Sequence, residues 1–278
     1  MRRSCLFLIL FSFHVSPLLV SGKALIIGVD LSNEDFISDQ KSILFKGKNP
    51  ILTKDNAENL ISKLFNKEID ACIISRPFSR KEARIISENN INWISSQRIM
   101  WRVMAIAVNK NNSISYVSDS TLQRIFKGEI LNWKSITNQE QELMPIVLDY
   151  SGDADMSFVN DVIVKYPIFG KNCLKKRDLN DVIKRFDGHD GCICILDYSV
   201  AIKYPTIFKV IGITIQGNNI DINTKSIVNR EYPYRYPIWL FWDDKKDVYR
   251  SVNSNLNLYY AEDELIYKYG LMFLRNKH

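Results

Sequence analysis

Few residues of this sequence have the types and the spacing that catalysis or metal binding requires. The only histidine far from both ends of the chain is His189, and a zinc site needs several histidines or paired cysteines as ligands. An even number of cysteines permits disulfides in an oxidising compartment, with three possible pairings among four, but buried free thiols are the expected form. We therefore expect no metal and no cofactor. The four cysteines that lie beyond the N-terminal segment are Cys72, Cys173, Cys192 and Cys194.

No catalytic motif places a nucleophile, a phosphate-binding loop or a set of metal ligands in this chain. The patterns GxSxG, GxxxxGK(S/T), GxGxxG after a strand, and HExxH are all absent. A Ser-His-Asp arrangement would need His189, whose surroundings at 186–191 have the glycines and aspartates of a turn. An exported enzyme that uses cleft carboxylates is the weakest hypothesis, and we expect a binding protein.

The composition is that of a folded globular protein without a nucleic-acid surface. The chain has 278 residues, of which 46% are hydrophobic, and 37 basic residues outnumber 31 acidic ones to give a net charge of +6. This length predicts one large domain or two modest ones. No run of five Lys or Arg residues forms a basic stripe, so we expect no nucleic-acid partner.

Strand and helix signals alternate along the chain. Short apolar runs predict buried strands, and apolar residues at helical spacing predict helices between them. One such helix covers 55–66, with Asp55 or Asn56 as its N-cap. This alternation predicts an α/β fold with mostly parallel sheets. The expected strands are 23–29, 69–74, 103–108, 192–196 and 208–215.

The N-terminal segment has the layout of a secretory signal peptide. Basic residues at Arg2 and Arg3 precede an apolar stretch from Cys5 to Val20, and small residues follow up to Gly22. The alternative is a membrane anchor, but about 16 apolar residues fall short of the roughly 20 that span a bilayer. We expect residues 1–22 to be cleaved and the mature protein to be periplasmic or secreted.

Five segments, in the same order along the chain, resemble the phosphate-binding periplasmic proteins of phosphate ABC transporters. The strongest match is Thr121 to Trp133, which is similar to a family signature that ends in Asn-Trp. The segment 69–78 resembles a strand followed by the family's Ser-Arg-Pro turn. The resemblance extends over nearly the whole chain after the signal peptide. The remaining matching segments are 104–109, 190–195 and 231–238.

The resemblance implies a two-lobed, periplasmic-binding-protein-like fold of type II, with the ligand in a cleft between the lobes. Chain order implies that 23–104 and 207–278 form lobe 1 and that 105–206 form lobe 2. Helix N-termini would present free N–H groups and positive dipole ends to an oxyanion, and hinge closure would bury it. The implied partners are phosphate or another small anion and the membrane subunits of an ABC transporter, with the protein itself a monomer.

Four loops contact the ligand in that family. The resemblance implies that six residues of this chain stand at the matching positions and bind the ligand: Leu31, Ser32, Asn56, Ser75, Ser151 and Gly152. The first two would offer backbone N–H groups after the first strand. Asn56 stands in for a serine at a helix start, and Ser75 keeps the residue of the third loop. The last two preserve the turn of the fourth loop.

The same loops depart from the family in their charge. Asp30 stands in the first loop, three aspartates stand at 149–155, and no Arg between Arg124 and Arg177 replaces the arginine of the fourth loop. Losing one partner of a buried charge pair costs roughly 2–5 kcal/mol, whereas micromolar binding needs about 8 kcal/mol in total. Two hypotheses therefore stand. One is a receptor for phosphate or a related oxyanion, and the other is the same scaffold with a different small ligand or a protein partner.

Overall fold

One strand of 16 residues, β4 (Ile94–Asn109), runs through both lobes. The computed structural model describes residues 24–45, 49–149, 154–165, 169–246, 248 and 262–273. The expected signal peptide and two of the expected contact residues, Ser151 and Gly152, lie outside the described residues. The lobes form on the two ends of β4, because its pairing partners change between Val103 and Met104.

Lobe 1 is a mixed sheet with helices on both faces. Besides the first part of β4, its strands are β1 (Ile26–Asp30), β2 (Ile51–Asp55), β3 (Ala71–Ile74), β11 (Arg235–Asp243) and β12 (Leu271–Phe273). The order is β2-β1-β3-β11-β4, in which the first three strands are parallel and β11 is antiparallel to both of its neighbours, while β12 also pairs with β4. The helices are α1 (Glu34–Leu44), α2 (Ala57–Phe65), α3 (Arg80–Glu88) and α9 (Glu262–Tyr269).

The alternation of side chains along β3 gives lobe 1 its two hydrophobic layers. Successive residues of a strand point to opposite faces of the sheet. Ala71 and Ile73 therefore pack in the layer that includes α1 and α9. Cys72 and Ile74 pack in the opposite layer, with the apolar face of α2.

Lobe 2 builds a second sheet on the other end of β4. Its strands are β5 (Tyr116–Ser118), β6 (Met144–Leu148), β7 (Leu174–Lys176), β8 (Cys192–Asp197), β9 (Phe208–Ile215) and β10 (Asn218–Ile220). On one side of β4 the sheet continues in the order β8, β6 and β7. On its other side β4 pairs with β9, which also pairs with β5 and β10. The helices are α4 (Asp119–Phe126), α5 (Ala154–Phe158) with a π-helical continuation (Val159–Val164), α6 (Leu179–Asp187), α7 (Tyr198–Lys203) and α8 (Thr224–Val228).

The second crossing between the lobes lies after α8, which corrects the boundary expected at residue 207. β9 pairs with Ile106–Asn109 in the sheet of lobe 2, and the chain rejoins β4 only where Met104 N–H donates to Tyr234 O at 3.0 Å. The apolar alternation of 208–215 predicts a strand but does not identify the sheet edge that the strand joins. From the pairing we therefore assign the described residues between 24 and 103 and between 235 and 273 to lobe 1, and the described residues between 104 and 228 to lobe 2.

The predicted α/β class and the predicted cap of α2 are confirmed, but the expectation of mostly parallel sheets is wrong, because six of the eleven strand pairings in the described part of the chain are antiparallel. The fold is α/β with two lobes, and Asn56 is the N-cap of α2, where its side-chain oxygen accepts the N–H of Asn59 at 2.9 Å. The four cysteines of the described part are free, and burial raises the pKa of the Cys173 and Cys192 thiols to about 12. Within the described ranges, no helix is long and apolar enough to cross a membrane.

Gly191 is a position where lobe 2 has no room for a side chain. An added Cβ would lie 1.8 Å from the backbone oxygen of Glu142, whereas the nearest atom to a Cβ at Gly188 is 3.5 Å away. We predict that Gly191→Ala lowers the free energy of unfolding by at least about 2 kcal/mol, because overpacking forces the backbone to move. Gly188→Ala should change it by less than about 1 kcal/mol. Urea denaturation measures both, and equal stabilities would contradict the prediction.

Candidate ligand-binding cleft

The carboxyl ends of β1 and β3 are joined by a buried carboxylate. Asp30, the last residue of β1, is only 1% exposed. Its Oδ2 accepts the backbone N–H of Ser75 at 2.6 Å. Its Oδ1 accepts the backbone N–H of Asn33 at 3.1 Å and the Nδ2 group of the same residue at 2.7 Å. Asn33 Nδ2 also donates to Ser75 Oγ at 2.9 Å, so the ends of two strands and the start of α1 form one unit.

A buried guanidinium extends this unit from lobe 1 to lobe 2. Arg102, on β4, donates through Nη2 to Ser32 O and to Asn33 Oδ1, both at 2.7 Å. Its Nη1 donates to Asp197 Oδ2 at the end of β8. Asp197 Oδ1 in turn accepts the backbone N–H of Ser199 at 2.7 Å and the hydroxyl of that residue at 2.6 Å. We call this hydrogen-bonded set the cleft network: Asp30, Asn33, Ser75, Arg102 and Asp197.

The electrostatics of the cleft network are set by burial. Desolvation raises the pKa of the Asp30 carboxyl, while the positive charge of Arg102 and the N–H donors of Ser75 and Asn33 act in the opposite direction. A charge buried away from water is tolerated only when it is paired and hydrogen-bonded. The single guanidinium therefore offsets two carboxylates, one from each lobe.

The β1 cavity, of about 290 Å³, lies on one side of the cleft network. Leu31 and Ser32 after β1, together with parts of α1 and α9, form its wall on lobe 1. Leu148 and residues of α7 form its wall on lobe 2. Arg102 and Asp197 face this cavity, but their charges are already paired with each other. Leucine, valine and phenylalanine side chains make up half of the remaining lining, and three further charged side chains, Asp35, Lys203 and Lys268, also line the cavity.

The α3 cavity, of about 580 Å³, lies between the Ser-Arg-Pro turn of lobe 1 and the helix at 154–164 of lobe 2. Three basic side chains line it: Arg76, Arg80 and Lys165. Arg76 is neutralised by Glu82, which accepts at 2.7 Å from Nη1 and at 2.8 Å from Nη2. Burial raises the pKa of the Glu82 carboxyl, but the hydrogen bonds from Arg76 and Ser79 outweigh burial and lower the pKa overall.

The residues expected to contact a ligand are not all brought together. Leu31 and Ser32 line the β1 cavity, and Ser75 lies in the cleft network with its N–H and its Oγ both engaged. Asn56 lines neither cavity, and its side-chain oxygen caps α2. Ser151 and Gly152 are outside the described residues.

The sequence offers Arg102, along with Arg76 and Arg98, as a source of positive charge for the cleft but does not place it, and it indicates no role for Asn33 or Asp197. One signal was available, because Arg102 is the single charged residue within the apolar run of 99–108. A charge in a buried strand implies a buried partner. The partner itself is 95 positions away along the chain, so no local pattern identifies it.

Comparison with known proteins places this geometry in a family. The model of the PBP superfamily domain matches residues 24–257. The chain belongs to the PBP superfamily. A sequence relative, the phosphate-binding protein PstS of Bacillus subtilis (strain 168), is 28% identical over 141 residues, which is 50% of this chain and 42% of the relative. The match therefore spans less than half of the length of that relative.

Two solved structures share the fold of this PBP-superfamily chain. An ABC-type phosphate transport receptor from Vibrio cholerae has a TM-score of 0.67 at 15% identity, with 90% of this chain and 100% of that chain covered. A protein described as a phosphate ABC transporter substrate-binding protein, with bound phosphate, from Clostridium perfringens has a TM-score of 0.70 at 13% identity, with 91% and 100% covered. The resemblance to phosphate-binding proteins and the two-lobed fold are thereby confirmed, and at such low identity these two structures establish the fold alone.

Removing the guanidinium of Arg102 should strongly destabilise this member of the PBP superfamily. We predict that Arg102→Met lowers the free energy of unfolding by about 3–5 kcal/mol, because it leaves the carboxylates of Asp30 and Asp197 buried without a cation. Arg84, whose ion pair with Glu88 is largely exposed, provides the control, and Arg84→Met should cost no more than about 1 kcal/mol. Urea denaturation at neutral pH measures both variants, and a loss within 1 kcal/mol for Arg102→Met would contradict the prediction.

Because the pKa of the Asp30 carboxyl is raised, its contribution to the free energy of unfolding changes with pH in a known direction. The native state binds this proton more tightly than the unfolded state does, so the contribution of Asp30 to stability is greatest below its ordinary pKa of 3.8 and falls as the pH rises through the native pKa. We predict that the difference in unfolding free energy between wild type and Asp30→Asn decreases as the pH rises above about 4.

Asp39 provides a control of opposite sign for this pH dependence. The hydroxyl of Tyr269, followed by Lys268, lowers the pKa of the Asp39 carboxyl. The stability that Asp39 contributes is therefore lost as the pH falls, and the difference between wild type and Asp39→Asn should increase with pH. Denaturation series from acid to neutral pH measure both differences, and slopes of the same sign would refute the assignment.

Proposed function

We propose that this chain is the exported substrate-binding subunit of an ABC importer and that it binds phosphate or a related oxyanion in the cleft between its lobes. The observation that carries the proposal is the α3 cavity, which basic side chains of both lobes line. An anion that contacts Arg80 of lobe 1 and Lys165 of lobe 2 binds the closed arrangement better than an open one. Such a ligand therefore shifts the protein towards closure.

Two of the basic side chains of the α3 cavity are available to an anion. Arg80 has no ion-pair partner among the described residues. Lys165 lies 3.7 Å from Asp119, and both of these side chains are about half exposed, so an anion competes for the ammonium group at little cost. Asn160 Oδ1 is buried and accepts no hydrogen bond within the described part of the chain. A protonated oxygen of hydrogen phosphate would donate to it.

The relatives and the sequence support the remaining parts of the proposal. The names of the sequence relative and of both solved structures refer to phosphate binding or phosphate transport. The basic start and apolar stretch of residues 1–22 support export to the periplasm or the medium, where the protein would act as a monomer with the membrane subunits of the importer. It has neither an enzymatic role nor a nucleic-acid partner in this proposal.

A second candidate function is the same scaffold with a different small ligand or a protein partner. The cleft network favours it, because Asp30 already accepts the backbone N–H groups of Ser75 and Asn33. Those donors are thus not available to a ligand anion. The apolar lining of the β1 cavity would suit a small organic ligand.

Calorimetric titration of the purified mature protein with phosphate tests the first candidate. We predict micromolar binding, and we predict that Arg80→Gln and Lys165→Gln each weaken it about tenfold or more, since a hydrogen bond to a charged group contributes roughly 1.5–3 kcal/mol. Lys134→Gln makes the same charge change in lobe 2 at an exposed residue that pairs with Glu140. This control should leave the affinity unchanged.

A thermal-shift panel separates the two candidates. The panel contains phosphate, sulfate, organic phosphates, amino acids and polyamines, and the ligand that binds the native state raises its melting temperature. Absence of any heat or shift at millimolar phosphate, with a shift from another class, would reject phosphate in favour of the second candidate. The N-terminal sequence of exported protein should begin near residue 23, and an uncleaved N-terminus would contradict export by a cleaved signal.

A further inference from the structure

Three N–H donors converge on one point between the carboxyl ends of β1 and β3. They are the backbone N–H of Ser75, at 2.6 Å from the carboxylate of Asp30, and the backbone and side-chain N–H groups of Asn33, at 3.1 and 2.7 Å. The donors come from separate segments, because Ser75 follows β3 and Asn33 precedes α1. Converging backbone N–H groups form anion-binding concavities. Arg102, which donates to Asn33 Oδ1 at 2.7 Å, adds positive charge beside them.

We infer that the carboxylate of Asp30 is a resident anion, which occupies an oxyanion site formed by these donors and thereby confines an anionic ligand to the α3 cavity. The site itself is independent of the ligand proposed above, whereas the confinement rests on that proposed function. Asp30 is a specificity-determining residue in this sense. Its side chain decides which part of the cleft is open to negative charge.

The geometry excludes a second anion as long as Asp30 is present. Both carboxylate oxygens are engaged, Oδ2 with Ser75 and Oδ1 with Asn33. The residue is 1% exposed, so a ligand reaches neither the donors nor the carboxylate. In lobe 2, Asp197 accepts a hydrogen bond from Nη1 of Arg102. The guanidinium of the cleft network is therefore also paired within the chain.

A purely structural role of Asp30, as a link between two loops, makes a different prediction about the effect of added anions. Both roles predict that loss of the carboxylate destabilises the protein. If the carboxylate acts only through its attachment to β1, a free anion in solution does not restore the link between the loops. An emptied anion site, in contrast, is refilled by an anion of suitable size, so rescue by anions separates the two roles.

Asp30→Ala tests the inference, because it removes the carboxylate and leaves a space of about the size of formate. We expect formate, at about ten times its Kd, to raise the melting temperature of this variant by about 3–6 °C. Chloride at equal ionic strength should not. Asp30→Asn is the matched control. Its amide fills the space, so formate should not raise the melting temperature of this variant. Equal responses of Asp30→Ala and Asp30→Asn would overturn the inference.

A second comparison keeps the inference separate from the proposed function. In calorimetric titrations, Lys165→Gln should weaken phosphate binding about tenfold or more in the wild-type background, whereas the double variant Asp30→Ala/Lys165→Gln should bind formate at the emptied site as tightly as Asp30→Ala does. If wild type binds no phosphate while Asp30→Ala binds formate, the resident anion stands and the proposed ligand fails. If wild type binds phosphate through Lys165 while Asp30→Ala binds no formate, the inference fails and the proposed function stands.

Asp30→Ser covers the case in which Asp30→Ala does not fold. Its smaller change leaves a hydroxyl near the donors, and it is purified with formate present throughout. Circular dichroism and the melting temperature report folding. If Asp30→Ser is folded only with formate, the inference is supported. If it stays unfolded even with formate, the inference is wrong, because a free anion should then replace the missing carboxylate.

Discussion

The guanidinium of Arg102 is the buried charge on which the junction of the two lobes depends. It lies where β4 changes from the sheet of lobe 1 to that of lobe 2. From there it binds the loop after β1 through Ser32 O and Asn33 Oδ1, and lobe 2 through Asp197. Because a buried ion without a partner is costly, the positions of Asp30 and Asp197 follow from that of Arg102. The β1 cavity in turn forms around this ion pair, because Arg102 and Asp197 both line it.

The distribution of charge inside the cleft differs from that of the whole chain. The net charge of +6 suggests a surface that attracts anions, yet the middle of the cleft holds two buried carboxylates. Basic groups also line the two cavities, with Arg80 and Lys165 in the α3 cavity and Lys203 and Lys268 in the β1 cavity. Electrostatic interactions are strong only over short distances or in poorly solvated sites. The local arrangement, and not the total charge, therefore governs which ligand the protein accepts.

The PBP fold of this chain allows such changes of ligand chemistry without a change of architecture. The fold supplies strand ends and helix starts at the edge of a cleft, and the loops supply the groups that meet the ligand. Here Asp30 introduces a carboxylate among those loop donors, while the sheets, the crossing strand and the hydrophobic layers are preserved. The same scaffold would thus serve an oxyanion at the α3 cavity in the proposed function or an organic ligand at the β1 cavity in the second candidate function.

The sequence by itself determined the α/β class, the helix capped by Asn56, the free cysteines and the kinship with phosphate-binding proteins. These features depend on interactions between residues a few positions apart, or on motifs that keep their order along the chain. The tertiary structure alone decided that β9 belongs to lobe 2, that Ser75 donates to Asp30 and that Arg102 pairs with Asp197. These partners are 45 and 95 positions apart in the last two cases. Such contacts are set by how sheets pair and lobes pack, which local periodicity and capping do not specify.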